Sequence, residues 1–485
     1  MTSTDQPNIV LLMTDQQRAG YTAAEGGPDT MPRLDRLFAD GARFPRAYTS
    51  SPVCVPARTS LLTGRFPSAH GVRQNSTAEF ARYATDLLDL LRGAGYSLHF
   101  SGKPHMHRGP ADFDTFNGPY LHDGGPGTDT EHAGFDAWLR ELDHGVAAEP
   151  TPFGVEAQLP YRIVDGGIEA LGTTAADRPF FLWLSFPEPH NPYQVPEPYF
   201  SMFAEADVPE RAVGPEVLDR LGWRYRWLRR LIEDKRPGYD EHWRRYRANY
   251  LGMLRLIDDQ VGRLLDHLGD GCENTLFVFL TDHGDFLGDY GLQRKGAGMS
   301  DALMRIPLAL RGPGIVPQRR DELVSMVDLL PTIAEWLGEP IPAGVQGRSL
   351  APLLRGEGAP SAEFGSILGE SGFGGVSYAE SDRPPLHFPY DGPTFDELNS
   401  VTMSGETRML VCGRYKLVVD DTGEELLYDL ERDPAEIEDL SDDPAHGEVR
   451  ADLHRRLVQW LLRAADDLPE GHYRPNHRPH NWRWA

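Results

Sequence analysis

The chain alternates short, aliphatic-rich runs with stretches of helical periodicity, and this alternation is its strongest constraint on fold. Apolar runs occupy residues 9–13 (IVLLM), 96–101, 180–186 (FFLWLSF), 275–281 (TLFVFLT) and 306–310. They lack the polar–apolar alternation of half-exposed strands and suit strands buried on both faces of a parallel sheet. Helical patterns fall between them, at 31–40, 86–92, 163–171, 243–268 and 327–337. Strands alternating with helices predict an α/β fold, a large mostly parallel sheet sandwiched by helices. A chain of 485 residues is ample to bury such a core.

Several runs end in polar clusters: Thr14-Asp15-Gln16, Gly102-Lys103-Pro104-His105, Pro187-Glu188-Pro189-His190 and Thr281-Asp282-His283-Gly284. Ligands of open α/β sheets bind beyond the carboxyl ends of the strands, so these clusters point to one site built from distant segments. The texture changes after about residue 375. Residues 381–399 are Pro-rich and irregular; 406–412, a turn at Gly413-Arg414, and 415–419 read as an antiparallel hairpin. A helix is expected at 449–464, then a tail without periodicity, GHYRPNHRPHNWRWA. The expected organisation is an α/β domain over 1–375 and a smaller C-terminal α+β domain with an antiparallel sheet over 376–485. Its basic, aromatic arm, from about residue 469, either folds back over its own body as a strap or, as expected here, crosses to a neighbouring subunit of a homo-oligomer.

The 48 basic and 73 acidic residues give a net charge of -25, which argues against nucleic acid and anionic membranes as partners. An anionic substrate would need positive charge concentrated locally. Cys54, Cys272 and Cys412 are too few for a disulfide framework. The first residues lack a basic leader, and no run approaches the roughly 20 apolar residues that span a bilayer. The expected location is cytoplasmic.

The strongest local signal is Cys54-Val55-Pro56-Ala57-Arg58, followed by Thr59-Ser60-Leu61-Leu62-Thr63-Gly64-Arg65. Pro56 favours a helix start, which places Cys54 at the positive end of the dipole and Arg58 one turn later on the same face. A thiol there is expected to be acidified and reactive. A buried structural cysteine is the alternative.

The whole segment resembles the maturation signature C-x-P-x-R…L-T-G-R of type I sulfatases. These are formylglycine-dependent enzymes of the alkaline phosphatase superfamily, and the likeness here is to choline-sulfatase- and arylsulfatase-like members. The resemblance implies that Cys54 is oxidised to formylglycine by a formylglycine-generating enzyme. It extends over most of the first 340 residues. Asp15-Gln16 resembles the first metal segment, where many members have two acidic residues, and Thr281-Asp282-His283-Gly284-Asp285 the second, where His283 replaces a frequent asparagine. The implied metal ligands are Asp15, Gln16, Cys54, Asp282 and His283. Their hard oxygens suit Ca²⁺ first, with Mg²⁺ possible, while His283 leaves room for Mn²⁺ or Zn²⁺.

Lys103 and His105 lie in a G-K-x-H segment, His190 in a P-H-x-P loop, and Lys295 in Arg294-Lys295-Gly296. The resemblance makes them catalytic together with Cys54 and Arg58, and makes Asn75 a substrate-binding residue. The implied reaction is hydrolysis of a small-molecule sulfate ester at the S–O bond by a formylglycine gem-diol. Lys103, Lys295, Arg58 and the metal neutralise anionic oxygens. His190 or Lys295 protonates the leaving oxygen, and His105 serves as base in the expulsion of sulfate. A phosphonate monoester or phosphodiester hydrolase of the same superfamily is the main alternative; Lys103 and His105 favour sulfate. An inactive binding-only relative and a conventional cysteine hydrolase are further alternatives. Residues 109–131 and 373–399 are expected at the pocket mouth, with Tyr120, His122, Tyr378, His387 and Tyr390 as candidate contacts to the organic group.

Overall fold

The computed structural model describes residues 6–465, apart from 128, 176, 297, 359–361, 373–377 and 385–404. The expected terminal arm, His387 and Tyr390 lie outside the described residues. Four parallel strands form the centre of the main sheet: β1 (Asn8–Asp15), β2 (Ser97–Gly102), β3 (Phe180–Pro189) and β4 (Thr275–Thr281). In space they run β4, β1, β3, β2, with Thr115–Asn117 beyond β2 and Leu308–Arg311, Ala42–Arg43 and Gln318–Arg319 beyond β4.

Side-chain alternation along β1 sets the two layers. Ile9, Leu11 and Met13 enter a core with Leu61 and Leu62 of α1 (Cys54–Thr63) and Leu329, Leu330 and Ile333 of α4 (Leu329–Leu337). Val10 and Leu12 enter the other core, with Ile163 and Val164 of α2 (Leu159–Leu171) and Leu254, Ile257 and Val261 of α3 (Trp243–Leu268). Burial on both faces is why these strands read as continuous apolar runs.

The run at 306–310 departs from the expectation of a further parallel strand. Pro307 divides it: Arg305–Ile306 pairs antiparallel with Ala47–Tyr48 in a separate small sheet, and Leu308–Arg311 pairs antiparallel with β4. From Thr281 the chain returns through loops and the four-residue helix Asp301–Met304, without the crossover helix that parallel pairing needs.

A four-stranded antiparallel sheet lies towards the C-terminus, in the order Ser366–Ser371, Thr407–Cys412, Tyr415–Asp420, Glu425–Asp429. The hairpin closes where Cys412 faces Tyr415, with Gly413 at φ 58°, a conformation glycine adopts without steric cost. The first strand precedes the boundary expected at 375, and that boundary itself lies outside the described residues. One face of the sheet, through Leu410, Leu417 and Leu427, meets Leu453, Leu457 and Trp460 of α5 (Gly447–Ala464). The other, through Met409, Val411 and Val418, meets Tyr48, Met299 and Met304. No helix among the described residues is long and apolar enough to cross a membrane.

Trp460 ties α5 to the body that carries the site. Its ring lies edge-on to Phe66 at 5.6 Å, and its Nε1 donates to Ser366 Oγ at 2.9 Å. Trp460→Ala should destabilise the fold by about 3–5 kcal/mol through the cavity it leaves. Trp460→Phe should cost less, roughly 1–3 kcal/mol, for the lost hydrogen bond and the smaller cavity left by the shorter ring. Urea unfolding of the two variants checks this ordering.

Candidate active site

The polar clusters meet because the strands run parallel and in register. Thr14 pairs with Thr281, so the next residue of each strand, Asp15 and Asp282, emerges side by side. Gly102 of β2 pairs with Ser185 of β3, which brings Lys103 alongside. Gly102 has φ 133°, and a Cβ there would lie 1.9 Å from the Ser185 carbonyl oxygen. Only glycine permits that approach.

Arg58 of α1 joins these ends. Nε donates to Asp282 Oδ2 at 2.9 Å, Nη2 to Asp15 Oδ2 at 3.0 Å, and Nη1 to the Lys103 carbonyl at 2.9 Å and Ser185 Oγ at 2.7 Å. Lys103 Nζ adds a contact to Asp15 Oδ2 at 2.8 Å. Burial alone would raise the Asp15 pKa, but Lys103, His190, Arg58 and Lys295 together hold it well below the carboxylate range.

Cys54 opens α1, all ten residues of which are buried. Its Sγ lies 3.2 Å from His283 Nε2, 3.2 Å from Lys295 Nζ and 3.9 Å from Asp15 Oδ1. Lys295 Nζ also lies 3.3 Å from His190 Nε2. The expected acidic thiol is corrected here. Burial, and then the Asp15 carboxylate, push the Cys54 thiol up to about 12, beyond what Lys295 and Lys103 offset.

Four groups converge as metal donors: atoms of Asp15, Cys54, Asp282 and His283 lie within 4.8 Å of one another. Gln16, next to Asp15 in the chain and bonded through its N to Asp282 at 3.0 Å, has its Oε1 buried without a hydrogen-bond partner, an orphan that a cation would satisfy. His283 Nδ1 bonds the Gly284 carbonyl at 3.0 Å, which leaves the Nε2 lone pair facing Cys54. Burial lowers the His283 pKa and favours the neutral, ligating imidazole. Two carboxylates, an amide oxygen and an imidazole fit a divalent cation.

The structure thus gathers Asp15, Gln16, Cys54, Arg58, Lys103, His190, Asp282, His283 and Lys295. His105 is buried, and burial together with nearby Lys103 and Arg58 drives its pKa well down. Asn75 Oδ1 accepts from Val55 N at 2.8 Å, beside Cys54, while its Nδ2 is buried without a partner. Of the expected mouth residues, Tyr120 is buried under Arg162, whose guanidinium stands 5.2 Å over its ring. Tyr378 packs against Trp227 at 5.8 Å. Among the described ones, His122 reaches towards the site, 6.2 Å from His190 and 4.3 Å from His144 between ring centres.

Sequence reasoning gave no role to Ser185, Glu188 or Asp285. Ser185 is the polar interruption in FFLWLSF, a legible signal. Burial pushes the Glu188 carboxyl up to about 8, and its Oε2 has no hydrogen-bond partner.

A sulfatase family model matches residues 7–339, more than half of the chain. The chain belongs to the sulfatase family. Membership makes it an enzyme of the sulfuric ester hydrolase class. This sulfatase is 28% identical to the arylsulfatase of Clostridium perfringens over 96% of both chains. It is 30% identical to the multifunctional alkaline phosphatase superfamily protein PehA of Trinickia caryophylli, over 95% of this chain and 96% of that one. Its fold matches the phosphonate monoester hydrolase of Agrobacterium radiobacter with a TM-score of 0.75, at 24% identity, over 97% of this chain and all of that one.

The raised thiol pKa has a direct consequence for unoxidised sulfatase. At pH 8 iodoacetamide should alkylate Cys272 and Cys412, which are partly exposed, well before Cys54. Peptide mass spectrometry over time reads the order; Cys54 labelled first would mean an acidic thiol after all.

Proposed function

We propose that this sulfatase hydrolyses a small-molecule sulfate ester at the S–O bond, with position 54 oxidised to formylglycine and a divalent cation held by Asp15, Gln16, Asp282 and His283. The observation that carries the reading is the setting of Cys54. Its thiol is poorly suited to thiolate chemistry, yet Sγ touches both His283 of the metal-type cluster and Lys295 of the cationic one. When present, the aldehyde supplies a hydrated nucleophile and the cation a Lewis acid. A formylglycine-generating enzyme is then the partner of the chain during maturation.

The side chains supply the rest. Lys103 and Lys295, with Arg58 behind them, place positive charge where sulfate oxygens must sit. His190 Nδ1 is engaged by the Asn191 carbonyl at 2.7 Å, which leaves Nε2 towards Lys295 Nζ. A proton shared between those two nitrogens is placed to pass to the leaving oxygen. His105, kept neutral by burial and adjacent cations, can accept a proton. The donor set has three oxygens and one imidazole nitrogen. Ca²⁺ remains the first expectation, and the imidazole favours Mn²⁺ as the alternative. A pocket that reads a tetrahedral oxyanion by charge and hydrogen bonds supports a second activity on phosphonate or phosphate esters, and the likeness to a relative named as multifunctional accords with this.

Recombinant protein matured in a host with the oxidising enzyme should release 4-nitrophenol from 4-nitrophenyl sulfate faster than from the corresponding phosphonate ester. Cys54→Ala should be inactive. Chelation should abolish the rate, and titration with Ca²⁺, Mg²⁺ and Mn²⁺ should restore it and rank the metals. Asp282→Ala should lose on the order of 10³-fold or more in rate. Full activity in Cys54→Ala would overturn the assignment.

The pH profile follows from His105. Its folded pKa is depressed, so the neutral, proton-accepting form persists below the 6.5 of an ordinary histidine. The acid limb of kcat should therefore lie below that value. His105→Ala should lower kcat more than kcat/KM, since the base acts after the first bond cleavage. Equal loss in both would place His105 in substrate attack instead.

A further inference from the structure

Asp285 lies one residue beyond the His283-Gly284 segment, fully buried. Its Oδ1 accepts from Leu287 N and Arg294 N, both at 2.8 Å. Its Oδ2 accepts from the Tyr193 hydroxyl at 2.7 Å and from Gln16 Nε2 at 2.8 Å. Burial and the adjacent carboxylate raise the Tyr193 pKa well above the phenol range, so Tyr193 remains a donor. Four donors thus surround an acceptor-only group.

That arrangement decides which end of the Gln16 amide faces which way. Oxygen and nitrogen of an amide are told apart by their hydrogen-bond partners, and against a carboxylate whose four contacts are all donors only the NH₂ end is tolerated. Oε1 is then forced to the opposite side, where it is buried without a hydrogen-bond partner, on a residue that follows Asp15 and is bonded through its N to Asp282. The Gln16 backbone is held to match: φ is 68°, Gln16 N donates to Asp282 Oδ1 at 3.0 Å, and the Gln16 carbonyl accepts from Tyr250 Oη at 3.0 Å. Holding a non-glycine residue there costs energy that the surroundings must supply.

We propose that Asp285 is a positioning residue that aims Gln16 Oε1 into the metal cluster, and that it is the reason this sulfatase carries an amide at position 16. A carboxylate at 16 would set two anionic oxygens against each other about 3 Å apart, which disfavours joint ionisation. Through Arg294 N the same carboxylate also anchors the loop that carries Lys295. The inference rests on the reading of the cluster as a divalent metal site.

The test is a charge exchange read by metal affinity. Mn²⁺ binding to the chelated, full-length protein is measured by calorimetry and electron paramagnetic resonance, with the unfolding transition in chelator as the control for folding. Asp285→Asn should weaken binding about 10- to 100-fold, as losses of groups orienting a ligand do, because an amide there can turn its NH₂ towards position 16 and reverse the Gln16 amide. Gln16→Glu should weaken it comparably. The double variant should bind more tightly than either single one, since the carboxylate introduced at 16 accepts from the amide introduced at 285 and still offers an oxygen to the metal. Wild-type affinity in Asp285→Asn or in Gln16→Glu, or a double variant no better than the weaker single one, overturns the proposal. If Asp285→Asn does not fold, Gln16→Glu decides by the same criterion. Wild-type protein that binds no Mn²⁺, Ca²⁺ or Mg²⁺ would instead refute the metal reading.

Discussion

The site depends on one buried guanidinium. Arg58 meets Asp15 at the end of β1, Asp282 at the end of β4, the Lys103 carbonyl after β2 and Ser185 within β3. Taking that charge out of water is expensive, and only a full set of partners makes it tolerable. A planar fork can bridge groups on four strands at once, whereas an ammonium would satisfy fewer at greater distance. Without it, two carboxylates that the sheet register forces side by side would repel in a buried setting. The guanidinium is thus structural mortar and part of the positive field that an anion meets.

The same balance explains how an acidic protein can host a sulfate. Around the reacting position, Asp15, Asp282 and Asp285 are matched by Arg58, Lys103 and Lys295. The proposed divalent cation and anionic ester would enter surroundings whose fixed charges nearly cancel. The amide at position 16, in place of a further acid, keeps that balance. Long-range repulsion from a net charge of -25 is screened over about 10 Å at moderate salt, so what matters to the substrate is this local arrangement.

The central architecture was legible because β1 to β4 are buried on both faces and so read as unbroken apolar runs. Strand direction was not: residues 306–310 look like their parallel neighbours, and only the connection before them sets their antiparallel course. The helix Trp223–Lys235 escaped notice because Arg224, Arg226, Arg229 and Arg230 interrupt a stripe of Trp227, Leu228, Leu231 and Ile232 that the fold buries. In the site, residues with chemistry of their own stood out through their motifs. Tyr193 and Asp285 act through other side chains, and such dependence leaves no local pattern; Ser185 alone of the supporting groups was marked, as the polar break in an apolar run. The Cys54 thiol misled for a related reason: helix position is local, whereas the burial and the Asp15 carboxylate that oppose it come from the assembled fold.

All ten residues of α1 are buried, and Gly64, which ends it at φ 62°, accepts from Gln346 N and Gly347 N. Under the proposed maturation, a modifying enzyme that had to read residues 54–65 would find nothing to grip on a finished molecule. Its opportunity would close when the segment docks. Synthesis and oxidation would then be a race with a single finish, and chains that fold first would be locked out. Yield of protein and yield of active sites are then separate quantities: a preparation can be pure, stable and monodisperse while most of its molecules carry an ordinary thiol.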